Sequence, residues 1–167
     1  GQNILLYVVL AGLAWWLYRM LIPGAGIAAL AMLLFTLDDG HAQAIGWISS
    51  RNTLLCAAGG LTAIALHVRA RQRGESGRWM SAGCFALALL CGEGGIATMA
   101  YLIAYELVFE TGALRERVSR LGLHLSVSVL WVVGYVAGHY GVRGSSFYHE
   151  LSDPLSVLGN GLADMPL

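Results

Sequence analysis

Long apolar runs separated by short polar breaks constrain this chain more than any other feature, because each run must be covered by a protein interior or by lipid. Six runs can be read, at 4–21, 26–37, 53–68, 79–91, 96–109 and 121–141. They leave too little polar sequence to coat a domain in water. Hydrophobic residues make up 57% of the chain and charged residues 12%, against roughly 25% charge in ordinary soluble domains. The pattern predicts an all-α fold, a polytopic transmembrane helical bundle of about six membrane segments forming one domain over residues 1–167.

A hydrocarbon core of about 30 Å takes about 20 helical residues, so the second and fourth runs are short and need neighbours or a thinned bilayer. A competing parse fuses the fourth and fifth runs through Gly92-Glu93-Gly94-Gly95. Three glycines around a carboxylate make a poor helix interior, which favours a hairpin there. Charge agrees. All ten basic residues are arginines, and with a hairpin at Glu93 eight of them fall on one side: Arg19, Arg69, Arg71, Arg73, Arg78, Arg115, Arg117 and Arg120. The positive-inside rule makes that side the cytoplasm, with cytoplasmic loops at 69–78 and 110–120. The outer loop 38–52 and the C-terminal segment 142–167 then face the periplasm of a bacterial inner membrane.

Gly1 is not an initiator methionine, and no basic stretch or small-residue cleavage site precedes the first run, so that run is not a signal peptide. The chain is expected to be a fragment, with a further crossing or translocated segment before Gly1 and more helices after Leu167. Its net charge is zero, and no nucleic-acid partner is expected. Cys56, Cys84 and Cys91 lie in or at the end of apolar runs without metal-site spacing and are read as small packing residues.

The outer loop concentrates polar chemistry. Asp38, Asp39 and His41 supply oxygen and nitrogen donors that suit a hard divalent cation; the plainer alternative is a connecting loop in which one aspartate caps the next helix. Arg51 opposes the charge-sorting rule and so calls for a partner, either a carboxylate among Glu93, Asp38 and Asp39 or the phosphate of a ligand. Arg143 raises the same question. Glu93, between two short helices, is costly at membrane depth unless paired or functional. His124 and His139 are expected to be hydrogen-bonded structural histidines. His67 is expected at the cytoplasmic interface, and Glu106 and Glu110, one turn apart, are expected to meet the arginines there.

The stretch LLFTLDDGHAQAIGWISSRNTLLCAAGGLTAIALHVRARQ resembles a motif region of polytopic GT-C glycosyltransferases, which reads approximately LFxLHPVHxEAVAWIsgRxxLLAxLFxLLAL in the tetratricopeptide-repeat O-mannosyltransferases and similar bacterial membrane proteins. ALALLCGEGGIATMAYLIAYEL resembles their next helical hairpin. The matching positions are His41, Trp47, Arg51 and Glu93, with Leu54 and Leu55 continuing the helix. Asp38-Asp39-Gly40 stands where His-Pro-Val is usual, and Gln43 replaces a glutamate. The resemblance covers roughly residues 20–110. It implies transfer of a sugar from a polyprenyl-phosphate carrier on the exported side, with His41, Arg51, Glu93 and Arg143 around the carrier phosphate. The general base of such enzymes sits in an outer loop that would precede Gly1. No cofactor beyond a divalent cation at Asp38, Asp39 and His41 is implied. A different class stays open: a non-catalytic accessory subunit of a larger membrane protein complex, partnered by lipid and protein. A transporter ranks last because no internal repeat is present.

Overall fold

A computed structural model describes residues 1–47, 50–74 and 77–140 of the chain, and all regular structure among the described residues is helical. The helices are α1 (Gln2–Leu21), α2 (Ala25–Leu37), α3 (Ala42–Gly46), α4 (Arg51–Arg73), α5 (Arg78–Cys91), α6 (Ala97–Val108), α7 (Leu114–Arg120) and α8 (Gly122–Ala137). Single 3-10 turns at Asp39–His41 and Glu93–Ile96 lead into α3 and α6. The chain divides into two compact units, Gly1–Trp131 and Val132–Leu167. In the second unit, the described residues end α8 with a turn in which His139 takes φ 53° and its N–H meets Val136 O at 3.1 Å.

Each predicted apolar run contains a helix, and local chemistry sets the ends. α1 stops at Ile22, whose extended backbone is what a residue before proline requires. α4 ends on Gly74 at φ 68°, a left-handed cap whose N–H reaches Ala70 O. The fourth and fifth runs are not fused, because the backbone turns extended at Gly92.

Close approaches at the two ends of each interface fix the helix directions. Asn3 Nδ2 donates to Trp47 O (2.7 Å) just before α4, and Gln72 Nε2 at its end donates to Met20 O (3.0 Å), so α1 and α4 run parallel. Tyr7 Oη donates to Thr36 O (3.1 Å), which sets α2 antiparallel to α1. Gly59 lies against Ala88 and Gly77 against Ala70, so α5 runs back along α4. α6 resumes the direction of α4, since Gly60 meets Thr98 and His67 meets Glu106. Ser81 bonds His124 and Leu89 O accepts from Trp131, so α8 follows α5. This alternation brings Arg19, the arginines that close α4 (Arg69, Arg71 and Arg73), Arg78 at the start of α5, and those of α7 to one end of the bundle. The loop 38–47, Arg51 and Glu93 stand at the other.

Polarity is inverted relative to a water-soluble protein. Leu5, Val8, Val9, Leu30, Leu34 and Leu90 are exposed, while Asn3, His67, Ser81, Thr98, Glu106 and His124 are buried. Lipid as the outer solvent explains both halves of the pattern, since exposed leucine then costs nothing and polar groups must turn inward. Gln2–Leu21 and Arg51–Arg73 are long and apolar enough to cross a membrane, and up to four spans result if the bent pairs Ala25–Leu37 with Asp39–Gly46 and Leu114–Arg120 with Gly122–Ala137 each count as one. These helices mark a membrane protein. α5, with 14 residues, and α6, with 12, fall short of that length on either side of the break at Gly92.

Small residues hold the interior together, as expected where apolar helices gain little by leaving lipid. Ala14, Ala63, Ala65, Ala82 and Ala88 are buried around Phe85, Leu102 and Val68. Cys56 is buried with them, and Cys84 and Cys91 are half-buried. A Cβ on Gly60 would stand 2.5 Å from Thr98 Oγ1, and one on Gly95 would stand 2.8 Å from the Ala88 carbonyl. At Gly95 the atoms met are backbone, so only glycine permits that approach, while at Gly60 the Thr98 side chain would have to shift.

Candidate functional site

The densest polar arrangement lies where α4 and α6 run side by side toward the arginine-rich end. His67 and Arg71 are four residues apart on α4, Glu106 and Glu110 four apart on α6 and the turn after it, so each pair shares one helix face. Parallel packing at a constant offset of 39 residues sets the two faces against each other. His67 Nε2 donates to Glu106 Oε1 at 2.9 Å, and Arg71 Nε approaches the same oxygen at 3.2 Å. Arg71 Nη2 bonds Glu110 Oε2. Tyr105 Oη donates to Glu110 Oε1 at 3.3 Å, and Arg120 Nη1 stands 3.9 Å from Glu110. Arg117 closes the end of α6 by donating to Glu106 O at 3.3 Å and to Gly112 O at 3.1 Å.

Glu106 is 1% exposed and His67 3%, so their contact is buried, while Arg71 reaches it from a half-buried position. A buried carboxylate survives only with partners that replace water, and here they are the His67 hydrogen bond and the nearby charge of Arg71, whose Nε makes no hydrogen bond among the described residues. The other Glu106 oxygen, Oε2, has no hydrogen-bond partner among the described residues. A second buried polar pair adjoins the first, with the His124 ring 5.5 Å from that of His67. Ser81 Oγ gives its only proton to Ala63 O at 2.7 Å, so the 2.9 Å contact with His124 is a donation from His124 Nε2–H. That tautomer leaves His124 Nδ1 a bare acceptor, and it too is buried without a partner among the described residues.

The residues expected around a carrier phosphate are distributed differently. Asp38 Oδ1 accepts from Gly40 N at 2.9 Å, capping the turn that follows. His41 is turned inward between Phe35 and Tyr7, with ring centroids 4.7 and 5.5 Å away, and its Nδ1 lies 3.2 Å from Asp38 O. With Asp38 engaged in this way, no group of three metal-binding side chains converges among the described residues. Arg51 is exposed at the first position of α4 and makes no ion pair with Asp38, Asp39 or Glu93. Glu93 is exposed in the turn after Gly92, and Gly92 O lies 3.6 Å from Cys56 Sγ on the first third of α4. Arg51 and Glu93 therefore share an end of the bundle without forming an ion pair. Arg143 lies outside the described residues.

The expected meeting of Glu106 and Glu110 with the arginines is present, and His124 is hydrogen-bonded. His67 stands beside the arginines as expected, but it is enclosed by α6 and α8, because parallel packing turns its helix face inward. The meeting of His67 and Arg71 with Glu106 and Glu110 had a signal in sequence, two i,i+4 pairs of opposite charge on the third and fifth runs. The Ser81–His124 contact had none. No protein-family model, curated protein or solved structure matches the chain.

Proposed function

We propose that the chain is the membrane bundle, whole or in part, of a GT-C-like glycosyltransferase of a bacterial inner membrane, using a polyprenyl-phosphate-linked sugar on the periplasmic side. In this reading α5 and α6 complete a set of six membrane segments around the Glu93 turn. One observation carries the proposal: Arg51 is an exposed guanidinium, free of the nearby carboxylates, at the end of the bundle opposite the other described arginines. Charge sorting disfavours a cation there, and an internal ion pair would have removed the need for a ligand. A carrier phosphate supplies the missing anion. Negative charge grows on that phosphate as the sugar leaves, so a fixed guanidinium stabilises the transition state more than the ground state. Glu93 would orient sugar hydroxyls, and Arg143 and His41 would complete the surroundings of the phosphate.

An accessory subunit is the second reading, and Asp38 favours it. Its carboxylate, in the motif loop, is spent on capping a turn, and the most elaborate polar cluster lies at the opposite end of the bundle. One reconstitution separates the two. Full-length protein in liposomes is supplied with a labelled polyprenyl-phosphate sugar, and Arg51→Ala is expected to lower transfer about 100-fold, as loss of one transition-state donor does. Undiminished turnover in both Arg51→Ala and Glu93→Gln would sink the enzymatic roles. Absence of transfer by the unaltered protein, with a stoichiometric partner retained through detergent extraction, would establish the subunit instead.

A further inference from the structure

A cleft of about 450 Å³ opens where the last turn of α4 meets the first turn of α5, lined by His67, Arg71, Gly74, Arg78, Trp79 and Arg120. Its volume lies within the roughly 300–1,000 Å³ typical of ligand sites. Three guanidinium groups border one cavity, and what matters is how far carboxylates neutralise them. Arg71 is engaged by both Glu106 and Glu110. Arg120, at 3.9 Å from Glu110, is beyond hydrogen-bond distance. Arg78 meets no carboxylate among the described residues, and its guanidinium lies instead 6.0 Å from the Trp79 ring centroid. Among the described residues, two carboxylates thus serve three arginines, and two planar forks keep donors to spare.

Charge sorting explains why arginines gather at this end, but not why three of them border one cavity over a buried carboxylate. The rest of the network has a consequence for the cleft. Glu106 and Glu110 fix the direction of Arg71 from behind, so one cation of the cleft is set in place before any ligand arrives. Gly74, in its left-handed conformation, turns the chain without placing a side chain in the opening. Trp79, 65% exposed, lies on the rim, and indole rings favour the headgroup level of a bilayer.

We infer that this cleft binds a phosphate-bearing anion, either the headgroup of an anionic phospholipid or a free phosphate. Arg78 and Arg120 grip the phosphate oxygens, whose tetrahedral array matches the guanidinium fork better than a point charge would. Arg71 supplies positive potential from the wall. The site is at the opposite end of the bundle from Arg51 and does not depend on glycosyl transfer.

The test uses the full chain in detergent, titrated with phosphatidylglycerol, phosphatidylcholine or inorganic phosphate and followed by native mass spectrometry. Phosphatidylglycerol is expected to bind in preference to phosphatidylcholine. Arg78→Gln and Arg120→Gln should each weaken it about fivefold, the effect of one basic residue near a charged surface. Arg115→Gln, which removes an exposed α7 arginine outside the cleft, should leave it unchanged. Competition by inorganic phosphate at low salt shows that the phosphate is the group recognised, and phosphate binding with the same variant pattern but no lipid preference assigns the cleft to a soluble ligand. Indifference to both lipid type and phosphate overturns the inference. So does an Arg115→Gln loss equal to that of Arg78→Gln, which would mean diffuse surface charge.

Discussion

Where α4 begins, Asp38 bonds the amide of its own turn and Arg51 stands exposed, whereas toward the end of α4 Glu106 is buried beneath His67 and Arg71. Both regions carry acid and base within a few residues of each other, yet one leaves the charges separate and the other locks them together. The difference comes from the neighbours. Among the described residues the loop bonds its own backbone and Asn3 of α1, while α6 lies parallel to α4 and presents carboxylates at the matching height. Charges in the first region are available to a ligand at little cost to the fold, and those in the second are part of the fold itself.

The strongest test of that contrast is Glu106→Ala. It leaves buried His67 without its acceptor and half-buried Arg71 with Glu110 as its remaining carboxylate, and the expected loss is about 1–3 kcal/mol, read as a lowered midpoint of unfolding in detergent. A protein as stable as the unaltered one would show that water reaches the network and that the two ends do not differ in kind. Comparable in size is Gly95→Ala, whose Cβ would press on the Ala88 backbone. Overpacking of this sort costs roughly 1–3 kcal/mol, and because the strain sits at the Glu93 turn it would show that this end is held by shape while the other is held by charge. The smallest effect belongs to Arg51→Ala, expected to move the unfolding midpoint by no more than about 2 °C. A larger fall would mean that Arg51 supports the fold, and its proposed role at a carrier phosphate would lose its basis.

Much of this architecture was legible in the order of residues. Six apolar runs became helices because runs of that kind, broken by proline, glycine and charge, satisfy their backbone only as helices in lipid. The hairpin at Glu93 followed from three glycines and from the arrangement of arginines, and the packing of Gly60 on Thr98 and His67 on Glu106 agrees with it. Asp38 as a turn cap was one of two readings its position allowed. The burial of His67 was not legible, because periodicity states which residues share a face but not which way that face turns.

The sequence by itself therefore determines the helices, their alternating directions and the end at which each described arginine lies, since these depend on the order of apolar runs and breaks. Tertiary structure alone decides which charges meet. The offset that puts His67 level with Glu106 goes with the close approach of Gly60 to Thr98, and the one that puts Ser81 level with His124 goes with the bond from Trp131 to Leu89 O. A slip of one residue there would turn these side chains by about 100° and separate them.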